Sequence, residues 1–339
     1  MTKVSTTPLK IQEVDGTPSN IISTFKFPNN SLTDNGDGSY TVDFGLSGYV
    51  PYTGATSNVD LGAYNITTTG TGTFGSVVIP TLFSDTQDPT GFVTRVGATP
   101  SWDDGTYTFT LTGNHDIYIN GIKTAKTTFS KQITDSTGIH WLYYDTDGVV
   151  QESLDSSPGF QYPLIASIYW NTTINKALVG DERHGIKMDF LTHGYLHNTV
   201  GTRYYSGLAG TFGNTTFTVT AGQIYDEDIA NSIAEQNNCD VLYKNGSANY
   251  EWQENQTTYY YTSGGNLYYN NGNVLTAVDV NKYIAVWIFA TNSITRPIIS
   301  IIGQRQDTTL TNARNNNKYE SLSLGTLPFA EMKLLYRVI

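Results

Sequence analysis

Cysteine is nearly missing: Cys239 stands alone among 339 residues. An intrachain disulfide and a zinc site built on several thiolates are thereby excluded, and a chain made in a reducing cytosol is expected. Charge is sparse at 14% of residues, and 19 Lys and Arg face 30 Asp and Glu, a net −11. A chain of that sign lacks the electrostatic drive to grip a phosphate backbone or an anionic lipid surface. Long apolar runs are absent as well. The longest, residues 283–290, is eight residues (Tyr-Ile-Ala-Val-Trp-Ile-Phe-Ala), whereas a bilayer-spanning helix needs about 20, so it reads as a buried strand. The opening Met1-Thr-Lys-Val-Ser-Thr-Thr-Pro-Leu-Lys10 has no apolar stretch of the secretion-signal kind, so no signal peptide is expected. Strong helix formers are scarce, which argues against long helices.

Aromatics reach 13%, with 24 Tyr, and there are 32 Gly. Tyr, Phe and Thr suit a pleated, half-buried surface, and Gly and Asn suit tight turns. The fold class expected is all-β. Tyr107, Phe109 and Leu111 alternate with threonines, as a strand with one buried face requires. Asn120-Gly121 between Ile119 and Ile122 reads as a two-residue type I′ hairpin. Further hairpins are expected around Asp34-Asn-Gly-Asp-Gly38, Asp145-Thr-Asp-Gly148, Asn245-Gly246 and Ser263-Gly-Gly265. Residues 162–170 form a central strand, and residues 298–302 and 333–339 are strands near the C-terminus. Residues 190–210 show weak periodicity and read as a surface crossing. The one place for a short helix is 224–236, where Ile229 and Ile233 are four apart.

Residues 49–80 are dominated by Thr, Gly and small side chains and cannot make a core of their own. Leu61, Ile66, Phe74 and Val77 would find apolar neighbours if identical chains met on a shared axis; a flexible linker is the other reading. Four segments result: an arm at 1–48, an extended segment at 49–95, and antiparallel sandwich-like β domains at 96–210 and 211–339.

The segments Val50-Pro-Tyr-Thr-Gly-Ala-Thr56, Val59-Asp-Leu-Gly62 and Thr71-Gly-Thr-Phe-Gly75 resemble the collar or shaft of tailed-bacteriophage fibre and appendage proteins. Pro89-Thr-Gly-Phe-Val93 with Ser101-Trp-Asp-Asp-Gly-Thr-Tyr-Thr-Phe-Thr110 is similar to the opening of their distal domain. Gly180-Asp-Glu-Arg-His184, Thr192-His193, residues 196–204 and the closing Leu327-Pro-Phe329 with Leu334-Leu-Tyr-Arg337 resemble the same virion-associated group. The resemblance implies a virion protein, a homotrimeric tail fibre or other appendage. Its N-terminal arm would contact other virion proteins, and its distal domains would meet a host-surface glycan or protein by multivalent adhesion. A purely architectural adaptor, collar or capsid decoration is the alternative, and a tail-borne glycan depolymerase the second. No nucleic acid, membrane insertion or cofactor is expected.

No catalytic residue is assigned. The adjacent acids Asp103-Asp104, Asp181-Glu182 and Asp226-Glu227-Asp228 read as turn chemistry, because neighbours on a strand point to opposite faces. Asp181, Glu182, Arg183, His184, His193 and His197 form the densest titratable cluster. His184, His193 and His197 are weak metal-ligand candidates. His193 and His197 share a face only if their stretch is helical, which Gly194 and Asn198-Thr199 do not favour. An ordered loop with Arg183 paired to a carboxylate, and histidines satisfying backbone groups, is the expected structure. In a trimer, copies of one His around the axis offer a further metal arrangement. Asp145-Thr-Asp-Gly148 lacks the remaining ligands of a calcium loop. Tyr250, Trp252, Tyr259, Tyr260, Tyr261, Tyr268 and Tyr269, among Asn, Gln and Gly, are the candidates for glycan contact; ordinary sheet packing is the competing reading.

Overall fold

The structure is a computed structural model that describes residues 9–12, 19–22, 32–42, 89–186 and 188–339. The chain divides into two compact units, Met1–Val78 and Ile79–Ile339. In the first, strands Leu9–Gln12 and Ser19–Ile22 pair antiparallel, as do Leu32–Asp34 and Tyr40–Val42. The second hairpin turns where the sequence places it, with the Asp34 and Asp37 carboxylates accepting from the N–H groups of Gly36 and Ser39. The collar-like segment expected at 49–80 lies outside the described residues.

In the second unit the residues of both expected β domains belong to one compact body. A four-stranded sheet runs in the order Val150–Ser153, Gly138–Tyr144, Leu164–Asn171, Lys176–Asp181. A five-stranded sheet runs in the order Glu251–Gln256, Cys239–Tyr243, Ile298–Asp307, Tyr283–Thr291, Met332–Val338. Named strands pair antiparallel throughout, except Cys239–Tyr243 with Ile298–Asp307. Side-chain alternation explains the layering. Ile284, Val286, Ile288 and Ala290 point into one buried cluster, and Ala285, Trp287 and Phe289 into another. That second cluster also takes Tyr169 and Leu178 from the four-stranded sheet, so the two sheets share a core. The outer face of the four-stranded sheet meets Phe109, Leu111 and Ile117 in a third cluster. With both faces covered, all eight residues of Leu164–Asn171 are buried.

Two local expectations change. Residues 224–236 are a hairpin, Gly222–Asp226 against Ile229–Ile233. Four residues is also two strand repeats, so Ile229 and Ile233 share a strand face and both are buried. Residues 190–199, read as a surface crossing, are a helix, Phe190–Thr199. Asp189 caps it: its carboxylate accepts from the N–H groups of Leu191 and Thr192, each at 3.0 Å. Among the described residues no helix is long and apolar enough to cross a membrane.

Candidate functional site

Several element ends converge at one place. The chain leaves strand Lys176–Asp181 into Glu182, Arg183 and His184. The tip of the hairpin between Gly222–Asp226 and Ile229–Ile233 supplies Glu227 and Asp228. Helix Phe190–Thr199 turns His193 and His197 inward. Asn292 follows strand Tyr283–Thr291, and Glu331 precedes Met332–Val338. Backbone bonds fix the junction: the Ile294 N–H donates to the Val179 carbonyl at 2.8 Å, and the Asn292 N–H to that of Glu331 at 3.2 Å. Gly180 is required by close approach, since a Cβ there would lie 2.5 Å from Ser167 Oγ and 2.7 Å from the Asn292 amide.

Arg183, 3% exposed, anchors the entry to the cluster. Its Nε and Nη2 donate to the two Asp181 oxygens at 2.7 and 2.8 Å, and Nη1 donates to the Ala98 carbonyl at 2.9 Å. Arg95 Nη2 donates to Asp181 Oδ2 at 2.8 Å. Burial works to raise the Asp181 pKa, but the two guanidiniums hold it below the ordinary Asp value. The expected pairing of Arg183 with a carboxylate is thus present.

The histidines depart from the expectation that they satisfy backbone groups. His184 Nδ1 bonds Asp228 Oδ1 at 2.6 Å, and its Nε2 lies 3.2 Å from Glu182 Oε2 and 3.7 Å from Glu227 Oε2. His197 Nδ1 lies 3.4 Å from Glu331 Oε1 and 3.6 Å from Glu227 Oε1. The His184 and His193 ring centroids are 4.1 Å apart. Phe160 packs edge-on against His193, and Trp141 edge-on against His197. Asn292 Nδ2 lies 2.8, 2.6 and 2.7 Å from Glu182 Oε1, Asp226 Oδ2 and Glu331 Oε2, three acceptors for its two N–H groups.

The side chains of Glu182, Glu227 and Glu331 are no more than 2% exposed, and Asp226 is fully buried. Burial alone would push His184 down, yet its bonds to Asp228 and Glu182 carry it up to about 10. Burial likewise opposes ionisation of Glu182, but the His184 bond and charge bring it down to about 2. Burial and the neighbouring carboxylates raise Asp226 and Glu331 well above the ordinary range. Burial and the charges on His184 and His197 push His193 down to about 2. His184, His193 and Glu227 each offer one ligand atom, all within 4.8 Å of one another; so do Glu182, Asp226 and Glu331.

The cluster therefore contains all three His named from sequence and two of the three acidic tracts. Glu331 and Asn292 carried no sequence signal, because only tertiary pairing brings them in. The third tract does turn chemistry: Asp103 accepts from the Gly105 N–H, and Asp104 from Trp102 Nε1. Asp145 Oδ1 likewise accepts from the N–H groups of Asp147 and Val149.

The aromatic candidates are mostly interior. Tyr250, Trp252, Tyr259 and Tyr269 are buried, and their rings offer no face for a sugar in the folded chain. Tyr250 Oη donates to the Ser323 carbonyl and Tyr259 Oη to that of Gly213. Tyr260 and Tyr261 pack half-buried against the core, and Tyr261 stacks edge-on with half-buried Tyr268. The most exposed rings among the described residues are others: Tyr40, Tyr195, Tyr204, Tyr205 and Phe329, at 60%, 64%, 52%, 61% and 61%. No family model, no curated protein and no solved structure matches the chain.

Proposed function

We propose that this chain is a non-enzymatic structural protein of a tailed-bacteriophage particle. In this reading it is a homotrimeric appendage that mediates host attachment, with its N-terminal arm toward the particle. The sequence resemblance supplies the family, and one surface feature carries the contact role. All five residues of strand Arg203–Gly207 are exposed, with Tyr204 and Tyr205 in solvent. Exposed tyrosines give broad contact at low side-chain entropy cost and suit both sugar faces and protein. The chain's densest acid and histidine groups, by contrast, lie in an interior that a polysaccharide does not reach. Weak contacts repeated over three copies and many appendages give firm adsorption without a tight single site.

The test is adsorption. Particles carrying the Tyr204→Ser/Tyr205→Ser double variant should bind host cells more weakly, and purified wild-type protein should compete with them saturably. Normal adsorption by particles lacking residues 96–339 sinks the attachment role. Phe190 and Leu191, also exposed, favour an architectural second reading in which a neighbouring virion protein covers the outer side of helix Phe190–Thr199. In that case, Leu191→Ser impairs assembly rather than adsorption. New reducing ends from host polysaccharide would replace both readings with a depolymerase.

A further inference from the structure

Five buried side-chain atoms of the cluster make no hydrogen bond: His193 Nε2, His197 Nδ1, both Glu227 oxygens and Glu331 Oε1. Buried polar atoms are nearly always partnered, so five orphans in one cluster need an explanation. The remaining four among the described residues are Ser136 Oγ, Asn231 Nδ2, Trp252 Nε1 and Ser300 Oγ, which belong to no such group. The orphans' separations are informative. His197 Nδ1 stands 3.6 Å from Glu227 Oε1 and 3.4 Å from Glu331 Oε1, and His184 Nε2 stands 3.7 Å from Glu227 Oε2. These gaps are long for hydrogen bonds. They match the spacing of donors around one ion, since ligands at about 2.1 Å in a tetrahedron lie about 3.4 Å apart.

We propose that the cluster is a buried centre for two divalent transition-metal ions bridged by Glu227. His184 Nε2, His193 Nε2 and Glu227 Oε2 would hold one ion. His197 Nδ1, Glu227 Oε1 and Glu331 Oε1 would hold the other, beside Asp226 and Glu182. Every orphan atom then gains a partner. The outer atoms have polar neighbours, as oriented ligands require: Asp228 on His184 Nδ1, Ser167 on Glu182 Oε1, Thr202 on Asp226 Oδ1, and the Asn292 amide within hydrogen-bond distance of the outer oxygens of Glu182, Asp226 and Glu331. Charge agrees: two dications balance the four carboxylates Glu182, Asp226, Glu227 and Glu331. Mixed imidazole and carboxylate donors select zinc, manganese or iron over calcium and magnesium, which take all-oxygen shells. The enclosure suits a structural centre rather than an open catalytic one. Its ligands come from two sheet ends, a hairpin and a helix, so ion binding adds directly to folding stability. None of this depends on the attachment role.

The test uses the full-length chain without a histidine tag. Protein expressed with zinc and manganese in the medium should carry about two transition-metal ions per chain by mass spectrometry of the metals. Chain unfolded with a chelator and refolded without metal should take up two equivalents of Zn²⁺, its melting midpoint rising by about 5 °C or more at a hundredfold excess over Kd. Co²⁺ in place of Zn²⁺ should give visible d–d bands. Glu227→Gln, which removes the bridge, should abolish this uptake, and His193→Gln should cut it to one equivalent; if either fails to fold, the wild-type refolding series still decides. In the wild type, one equivalent or none, or a melting midpoint indifferent to Zn²⁺ and Mn²⁺, overturns the bridged pair.

Discussion

Replacing Arg183 by Met tests how the strand end leading into the cluster is held. Methionine keeps most of the aliphatic stem, so packing loss is small. What disappears is a two-pronged pairing with Asp181 and a donation to the Ala98 carbonyl, all from a side chain 3% exposed. Removing one partner of a buried ion pair costs about 3–5 kcal/mol, because the other is left uncompensated. Asp181 keeps Arg95, whose side chain is 33% exposed, so the lower end, about 3 kcal/mol, is expected. In a unit of about 260 residues each kcal/mol moves the melting midpoint by about 2 °C, so Arg183→Met should melt about 6 °C lower. Arg95→Met removes the partly solvated partner and should cost about 1 kcal/mol or less. Urea unfolding of both variants beside wild type measures the contrast. If Arg183→Met costs no more than Arg95→Met, the argument from burial is wrong.

Three further outcomes follow from local geometry. Asp189→Ala should cost about 1 kcal/mol and speed amide exchange at Leu191 and Thr192, whose N–H groups lose their acceptor. Asp307 is nearly buried; burial raises its pKa, but bonds from Arg305, Asn316 and Asn317 prevail and hold it below the ordinary 3.8. A carboxyl depressed on folding stabilises fully above its unfolded pKa and ceases to as pH falls through the folded one. The stability gap between wild type and Asp307→Asn should therefore be full at pH 7 and shrink below pH of about 3.8, read from urea midpoints. Burial pushes the Cys239 thiol up to about 12, so a disulfide-exchange dye at pH 8 should leave the folded chain unlabelled and titrate one thiol after unfolding.

The turns and strands were legible because their causes are local. Asn120 and Gly121 have φ of +47° and +79°, the left-handed pair that a type I′ turn demands, and few other dipeptides enter it cheaply. Residues 283–290 read as a buried strand from apolar content alone. The sheet partners of that strand were not readable, because covering both faces takes residues from far along the chain. The expected division near residue 210 failed to show the shared core for the same reason: Tyr169 shares one buried cluster with Trp287 and Ile301, a grouping with no local trace. The acidic tracts misled in a specific way. Neighbouring strand residues do face opposite sides, but Glu227 sits at a hairpin tip with φ of +44°, where the strand rule lapses.

Helix Phe190–Thr199 was missed because it is inverted. Amphipathic helices are found by an apolar stripe facing the core. Here the buried residues are His193 and His197, while Phe190, Leu191 and Tyr195 face solvent. A ten-residue helix is marginal alone, and Gly194 weakens it further. Hydrophobic burial of the usual kind does not hold it; the Asp189 cap and the rings of Phe160 and Trp141 supply part of what does. Each face then calls for a different partner. Under the two proposals, ions bound by the inward imidazoles would fix one side, and a neighbouring virion protein would cover the other. The two are separable, because Leu191→Ser leaves the histidines untouched and His193→Gln leaves the outer face untouched. If the first variant lost metal, or the second lost surface contact while still folded, one element could not be serving both roles independently.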